Sequence, residues 1–391
     1  MKFKERTPFN EALNTFLRAI PPIEETEVTP IREAYGRVVA QDIVAPRDEP
    51  VYRRAAMDGY AVVAEDTLGA SARSPVILQV DNEARHGAAT RVHTGSKMPD
   101  KADAVVMVED TERLGDVVEV RTQVHPFENV GAKGEDAHRG ELLFTSGHRL
   151  RAADIGLLAS LEVPDVTLFR RPDVAIIPTG EELVTKKPGD GEVVETNGLM
   201  NTFLVEQWGA RCRYRQIVPD NPELIEAALL NDADADLILT TGGTSVGIRD
   251  LVPDAVNKLG RILVHGVAIS PGKPTALGLI DRTPVACLPG FPVACLVASY
   301  AFVKPAINHL VHTERTYEPT VTGTLARKIT GKTGSRTYAR VTIQDGVVEP
   351  IMASGSGILS SMAKANGFLI IPENVEGYEK GQHVEVVLID T

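Results

Sequence analysis

The chain is poor in aromatic residues, at 5% of its 391 positions, and has a single tryptophan. Cysteine is scarcer still. Cys212, Cys287 and Cys295 make an odd count with no CxxC spacing, which excludes a disulfide framework and fits a reduced, intracellular setting. No uncharged run is long enough to span a bilayer, and the first residues lack the apolar core of a signal peptide; the expectation is a cytoplasmic protein with no membrane partner. Basic residues are outnumbered, 41 Lys and Arg against 53 Asp and Glu, for a formal net charge of −12. Broad nucleic-acid binding is thereby excluded, and any anionic ligand needs local Lys, Arg or a bound metal. Walker A, serine-hydrolase and dinucleotide-binding motifs are missing. His93, His125, His138 and His148 are not at metal-pair spacing.

The length predicts two to four domains. Thr7-Pro8 is expected to open a helix, with Thr7 as cap and an apolar stripe of Phe9, Leu13, Phe16, Leu17 and Ile20 ended by Pro21-Pro22. Residues 31–40 read as a second short helix. From about 61 to 144 the pattern becomes short β runs, such as 76–80, 104–108 and 117–120, and 150–163 return to helix. A β-rich lobe inserted into a helical framework is the expectation. Residues 173–312 alternate strand and helix, which predicts a mainly parallel, three-layer sheet. Residues 316–391 alternate Thr and Val around an Asp345-Gly346 hairpin signal, which predicts a small β-barrel.

The most informative segment is 234–250, DADLILTTGGTSVGIRD: a buried strand, a glycine-rich turn and the start of a helix. Gly242 and Gly243 let backbone N–H groups approach an anion, and the hydroxyls of Thr240, Thr241, Thr244 and Ser245 add donors. Two further Gly-bearing turns follow strands, at 178–182 (PTGEE) and 288–292 (LPGFP, with Pro289 and Gly290). In a parallel sheet such turns gather at the carboxyl rim, which would then hold Glu181, Glu182 and Asp250. Any one such turn can simply close a strand; all of them together point to a ligand site for a phosphate or a tetrahedral oxyanion. Lys273, between Pro271-Gly272 and Pro274, sits on a stiff loop that suits an oxyanion or carries a solvated lysine. Ser354-Gly355-Ser356-Gly357 is either a further anion-binding loop or a flexible hairpin end. Lys133-Gly134-Glu135-Asp136 is a charged loop whose acids could hold a metal; Mg²⁺ favours one or two carboxylates plus phosphate oxygens.

Taken together, GRVVAQDI (36–43), AAMDGYAV (55–62), HTGSKMP (93–99), KGED (133–136), PTGEEL (178–183), ETNGLM (195–200), TTGGTSVGIRD (240–250), PGKP (271–274), LPGFPV (288–293) and GSGILSSMAKANGFLIIP (355–372) span nearly the whole chain. In this order they resemble the molybdopterin molybdenumtransferase family, the group of MoeA and the gephyrin E-domain. The resemblance implies a multidomain α/β plus β fold: a helical framework (1–47 and 140–171), an inserted β-rich lobe (48–139), a three-layer αβα molybdopterin-binding domain (172–314) and a C-terminal β-barrel (315–391). It implies a homodimer whose cleft lies between the α/β domain of one chain and the lobe of its partner. It implies insertion of molybdate, or tungstate, into adenylylated molybdopterin with release of AMP, supported by Mg²⁺, the substrate coming from a molybdopterin adenylyltransferase. By position, Asp58, Thr94, Asp136 and Glu182 would be catalytic. Gly242, Gly243, Thr244, Ser245, Asp250, Lys273, Pro289, Gly290, Arg340 and Ser356 would bind substrate, and Glu182, Asp236 and Asp250 would hold metal. The chain departs from the family pattern at Ser270, where many members are basic, and at Phe291 and Ala294 of the LPGFPV turn. These departures leave two alternatives: an adenylyltransferase of molybdopterin, or a pterin-binding scaffold without turnover.

Overall fold

The computed structural model describes residues 6–243, 250–313 and 318–389. Its centre is a six-stranded sheet. Arg211–Tyr214, Asp173–Pro178, Leu237–Thr241 and Thr283–Leu288 lie side by side and parallel; Ala276–Ile280 runs back antiparallel, and Arg261–His265 forms the edge. Alternate strand residues serve opposite faces. Ile176, Leu237, Leu239 and Leu288 meet Leu204, Val297 and Phe302 on one side. Ile177, Ile238, Val285 and Cys287 meet Ile225, Leu229 and Val252 on the other. Both faces are dry, which is why these strands read as continuous apolar runs. Each fully buried aliphatic side chain contributes about 1.5–3 kcal/mol. This is the expected αβα sandwich. Cys287 and Cys295 lie inside it, and burial pushes both thiols up to about 12, so they stay protonated.

Helix Pro222–Asn231 starts as its sequence directs: Asn221 Oδ1 accepts the N–H groups of Glu223 and Leu224 at 2.9 and 3.2 Å. The long segment Pro292–Leu310 is helical throughout, with a π stretch at Ser299–Val303 that leads into Pro305, which has no N–H to donate. By length and composition this segment could cross a membrane, but 72% of it is buried within the domain.

The N-terminal helix, Phe9–Ala19, departs from expectation in two ways. Pro8, not Thr7, is the capping position, and Thr7 forms a backbone bridge with Val267. The helix also joins the α/β domain rather than the framework: Phe9, Ala12, Phe16 and Ile20 share a core with Val264, Phe302 and Ile307, and the Phe9 and Phe302 rings lie 5.5 Å apart. An apolar stripe packs against whatever apolar surface is nearest in space, which chain order does not reveal.

The framework has less helix than its pattern suggests. Residues 31–40 form only a 3₁₀ turn, Ile31–Glu33, because Gly36 takes φ +73° and Val38 and Val39 bridge to Arg149 and Leu168. Strand Thr26–Pro30 pairs with Asp165–Phe169, and Ile43–Val44 with Leu142–Phe144, around Val39, Leu150, Leu158 and Leu168. The lobe is a six-stranded sheet in the order Ala104–Met107, Gly59–Val62, Ala88–Val92, Val76–Val80, Val117–Val120, Thr111–Leu114. The C-terminal strands Arg336–Gln344, Val347–Met352, Thr320–Leu325, His383–Leu388 and Gly367–Ile371 close into a five-stranded barrel. Its Asp345-Gly346 turn has positive φ at both positions, as the sequence signal requires. Ile269–Ser270 of the α/β domain adds to the barrel as a parallel strand beside Arg336 and Thr337.

Helix Ala152–Ser160 is anchored by Asp154, whose Oδ2 accepts the N–H of Arg151 at 2.8 Å and lies 2.8 Å from His148 Nε2. Burial alone would raise this carboxyl; the side chain and N–H of Arg151 and the ring of His148 outweigh it and hold the group at about 2, against an ordinary 3.8. A depressed folded-state value means stability present above the unfolded value and lost as pH falls through the folded one. Asp154→Asn is therefore expected to cost about 2 kcal/mol at neutral pH. Urea melts across pH 2–7 should show the gap between wild type and variant closing below about pH 4.

Candidate active site

Three strand ends meet at the carboxyl rim of the sheet, as the sequence predicts. Thr179 donates its N–H to Thr241 O at 2.9 Å, and Gly242 donates to Leu288 O at 3.2 Å. Both glycines are obligatory. Gly242 has φ +99°, and a Cβ there would lie 2.2 Å from Thr179 O; Gly243 has φ +62°, and a Cβ there would lie 2.6 Å from Val252 Cγ2. Gly290 lies 3.5 Å from the Gly242 Cα when given a Cβ of its own. The rim is thus built from backbone in close approach, and Thr240 and Thr241 are enclosed in the sheet, the Thr240 hydroxyl beside the Cys287 thiol and the Thr241 hydroxyl without a partner among the described residues. Thr244 and Ser245 lie outside the described residues.

The residues just before Asn197–Gln207 fix one wall. Buried Glu195 accepts the Gly198 N–H at 2.6 Å and the Tyr214 hydroxyl at 2.6 Å. Asn197 donates Nδ2 to Gly290 O at 2.7 Å, and its Oδ1 is buried without a partner. The ETNG motif carried this position, but only the structure shows that it holds the 288–291 turn.

Acids gather at one corner. Glu182 folds back over Gly180, with Oε2 2.9 Å from where a Gly180 Cβ would stand. Asp220 is brought alongside because Val218 bridges to Thr179 and accepts the Gly180 N–H at 3.1 Å. Burial first, and then the charges of Glu182 and Glu181, raise the Asp220 carboxyl. Nothing in the local sequence singles out Asp220. Asp250 occupies the start of helix Leu251–Leu259; its Oδ2 is 3.4 Å from His265 Nε2, and its Oδ1 is buried without a partner. Among the described residues no three His, Cys, Asp or Glu side chains converge as a ready-made metal cage.

Asp236 is a correction. It precedes Leu237–Thr241 and so lies at the opposite end of that strand from the rim. Its carboxylate is consumed by Arg170 at 2.7 and 3.0 Å and by the Asp173 N–H at 2.7 Å. It is a structural ion pair, not a metal ligand at this rim.

Beside the rim lies a cleft of about 540 Å³ between the α/β domain and the barrel, walled by Ser270, Lys273, Pro289, Phe291, Lys332 and Ser356. Partial burial and the neighbouring cations Arg6 and Lys332 lower the Lys273 ammonium below its ordinary value. Lys332 comes from the barrel and was invisible to motif reading, because it lies between strands Ile329–Thr330 and Arg336–Gln344 with no local signature. Phe291 is 64% exposed at the mouth. Arg340 does not line the cleft. It is fully buried behind it, donates to the carbonyls of Ser354 and Gly355 and to Ser361 Oγ, and so shapes the loop that carries Ser356. Burial lowers its guanidinium, and Nη1 has no acceptor.

In the lobe, Asp58 Oδ1 accepts the Thr94 N–H at 2.9 Å and lies 3.4 Å from His93 Nδ1. The Thr94 N–H, with help from His93 and Arg91, holds the Asp58 carboxyl below its ordinary value. Asp136 is exposed, 3.7 Å from Arg54, which also grips Glu135. The 54–58, 94–96 and 129–136 segments are stitched together by backbone bonds. Among the described residues, no hydrogen bond or ion pair of Asp58, Thr94 or Asp136 reaches the rim.

The chain is similar to known proteins along its whole length. Residues 7–161 match the MoeA N-terminal region (domain I and II), 175–309 the probable molybdopterin binding domain, and 322–389 the MoeA C-terminal region (domain IV). The chain is 38% identical to a putative molybdopterin biosynthesis protein of Methanocaldococcus jannaschii, over 100% of this chain and 98% of that one. It is 34% identical to molybdopterin molybdenumtransferase 2 of Mycobacterium tuberculosis, over 95% and 96%. The crystal structure of a molybdopterin biosynthesis moeA protein from Pyrococcus horikoshii superposes with a TM-score of 0.86 at 34% identity, covering 98% of this chain and 100% of that one. Sequence motifs, domain order and full-length structural likeness agree: the chain belongs to the MoeA family.

Proposed function

We propose that this chain is a molybdenumtransferase of molybdenum cofactor biosynthesis that inserts molybdate into adenylylated molybdopterin and releases AMP. One observation carries the reading: the 288–291 turn walls two subsites at once. Gly290 abuts Gly242 at the rim, while Pro289 and Phe291 line the Lys273 cleft. A phosphorylated pterin on the rim and an oxyanion in the cleft would therefore lie side by side, and bringing reactants together supplies much of a rate enhancement.

In this reading the backbone of Gly242 and Gly243 cradles phosphate. Lys273 and Lys332, with the hydroxyls of Ser270 and Ser356, hold molybdate as substrate. Lys332 would supply the second cation that Ser270 does not. The hard oxygen donors Asp250, whose Oδ1 has no partner, and Glu181, Glu182 and Asp220 suit Mg²⁺ shared with phosphate oxygens. When bound, the ion would neutralise charge on the pyrophosphate. Asp58, Thr94 and Asp136 would complete the site from the lobe of a second copy, in a cytoplasmic homodimer fed by a molybdopterin adenylyltransferase.

Purified protein with adenylylated molybdopterin and Mg²⁺ is expected to release AMP only when molybdate is added; AMP release indifferent to molybdate overturns the reading, and ATP-dependent pyrophosphate release would favour an adenylyltransferase instead. Lys273→Ala should raise KM for molybdate about tenfold or more, and Lys332→Ala about threefold to tenfold, with kcat less affected, as lost charge-assisted contacts would. Because the Lys273 ammonium is lowered, molybdate KM should climb with rising pH sooner than an ordinary lysine would dictate; a pH profile that is unchanged in Lys273→Arg argues against this role. At molybdate far below the KM of Lys273→Ala, where that variant turns over slowly, mixing it with Asp58→Ala protein under subunit exchange should raise activity to about one quarter of wild type if each site draws on both chains. No recovery would count against the shared site.

A further inference from the structure

Arg149 stands where the framework meets the α/β domain. Its Nη1 donates to Gly36 O at 2.7 Å and its Nη2 to Asn308 Oδ1 at 3.0 Å. Both acceptors are neutral, and among the described residues no carboxylate pairs with it. Burial lowers its guanidinium with no acid to oppose the effect. A partly desolvated cation without a counter-ion is left poised to meet an anion.

The neighbours are equally unsatisfied. Asn308 is 6% exposed, and among the described residues neither its Nδ2 nor the buried Thr313 Oγ1 has a hydrogen-bond partner. These groups flank a cleft of about 1050 Å³ that also touches the barrel at Leu388 and Ile389 and is walled by Trp208 and Tyr300, packed edge to face at 5.4 Å. Among the described residues, Lys304 and Arg151 beside the cleft are paired, Lys304 with Glu318 at 2.8 Å and Arg151 with Asp154 at 3.0 Å. Arg149 has no such acid among them. Arg340, behind the Lys273 cleft, also donates only to uncharged acceptors among the described residues. The two clefts share no lining residue.

We propose that the Arg149 cleft is a second anion-binding site, for a small organic oxyanion whose charged group lies against Arg149 and Asn308 and whose apolar body lies along Trp208 and Tyr300. A guanidinium has five N–H donors, of which Arg149 spends two on the protein. The remaining donors, the Asn308 amide and the Thr313 hydroxyl match a carboxylate or a phosphate monoester. A ligand there would touch the framework, the α/β domain and the barrel together, and the inference does not depend on the reaction at the rim.

Trp208 is the only tryptophan in the chain, so its emission reports on this cleft. The full chain is titrated with inorganic phosphate, phenyl phosphate and citrate at constant ionic strength. A saturable change with phenyl phosphate or with citrate is expected, and which of the two binds tighter identifies the phosphate or the carboxylate class. Asn308→Asp supplies a counter-ion from within and should weaken binding at least tenfold without lowering the melting temperature. Thr313→Val, which removes only a hydroxyl, should weaken binding about threefold. No saturable change with any probe, a change reproduced by sodium chloride, or an affinity unaltered in both variants overturns the proposal.

Discussion

Everything at the rim rests on parallel strands kept dry on both faces. Because Ile176 and Ile177, or Ile238 and Leu239, face opposite helical layers, a strand that slipped by one residue would send each side chain to the wrong layer and break the packing on both faces. Register is therefore fixed, and with it the place where each strand ends. Only then can Gly242 come so near Thr179 that a single methyl group would collide with a carbonyl oxygen. The site consists largely of main chain held in position by the core, with few side chains of its own.

Much of this was legible. Glycine pairs after apolar runs report backbone that must turn or approach closely, and the alternation of strand and helix fixes which ends share an edge. The turns at 178–182, 241–243 and 288–291 were found together for that reason. Asp236 shows where such reading fails. It stands near the glycines in sequence, but an extended strand of five residues carries it roughly 16 Å away. Proximity along the chain and proximity in space coincide within a turn and diverge along a strand. Asp220 and Lys332 fail in the opposite sense: each arrives from a separate element, by strand extension or from the barrel, and bears no local mark. The N-terminal helix was recognised by its stripe, yet its docking partner was not, since many apolar surfaces accept the same stripe.

Charge distribution follows a similar division. The chain is acidic overall, yet cations are concentrated where the domains meet: Arg6, Lys273 and Lys332 around one cleft, Arg149 at another. Lys273 and Arg149 are partly desolvated, so that an incoming anion meets a field that water does not fully screen.

The short parallel pairing of Ile269–Ser270 with Arg336 and Thr337 has a wider consequence. It stitches the loop bearing Lys273 directly to the barrel bearing Lys332, so the spacing of the two ammonium groups is set by how the α/β domain and the barrel are sewn together. Swapping in a barrel from a relative, or shortening the chain ahead of it, would alter that spacing even if each piece folded perfectly. The seam between the units, more than either unit, sets the geometry of that cleft.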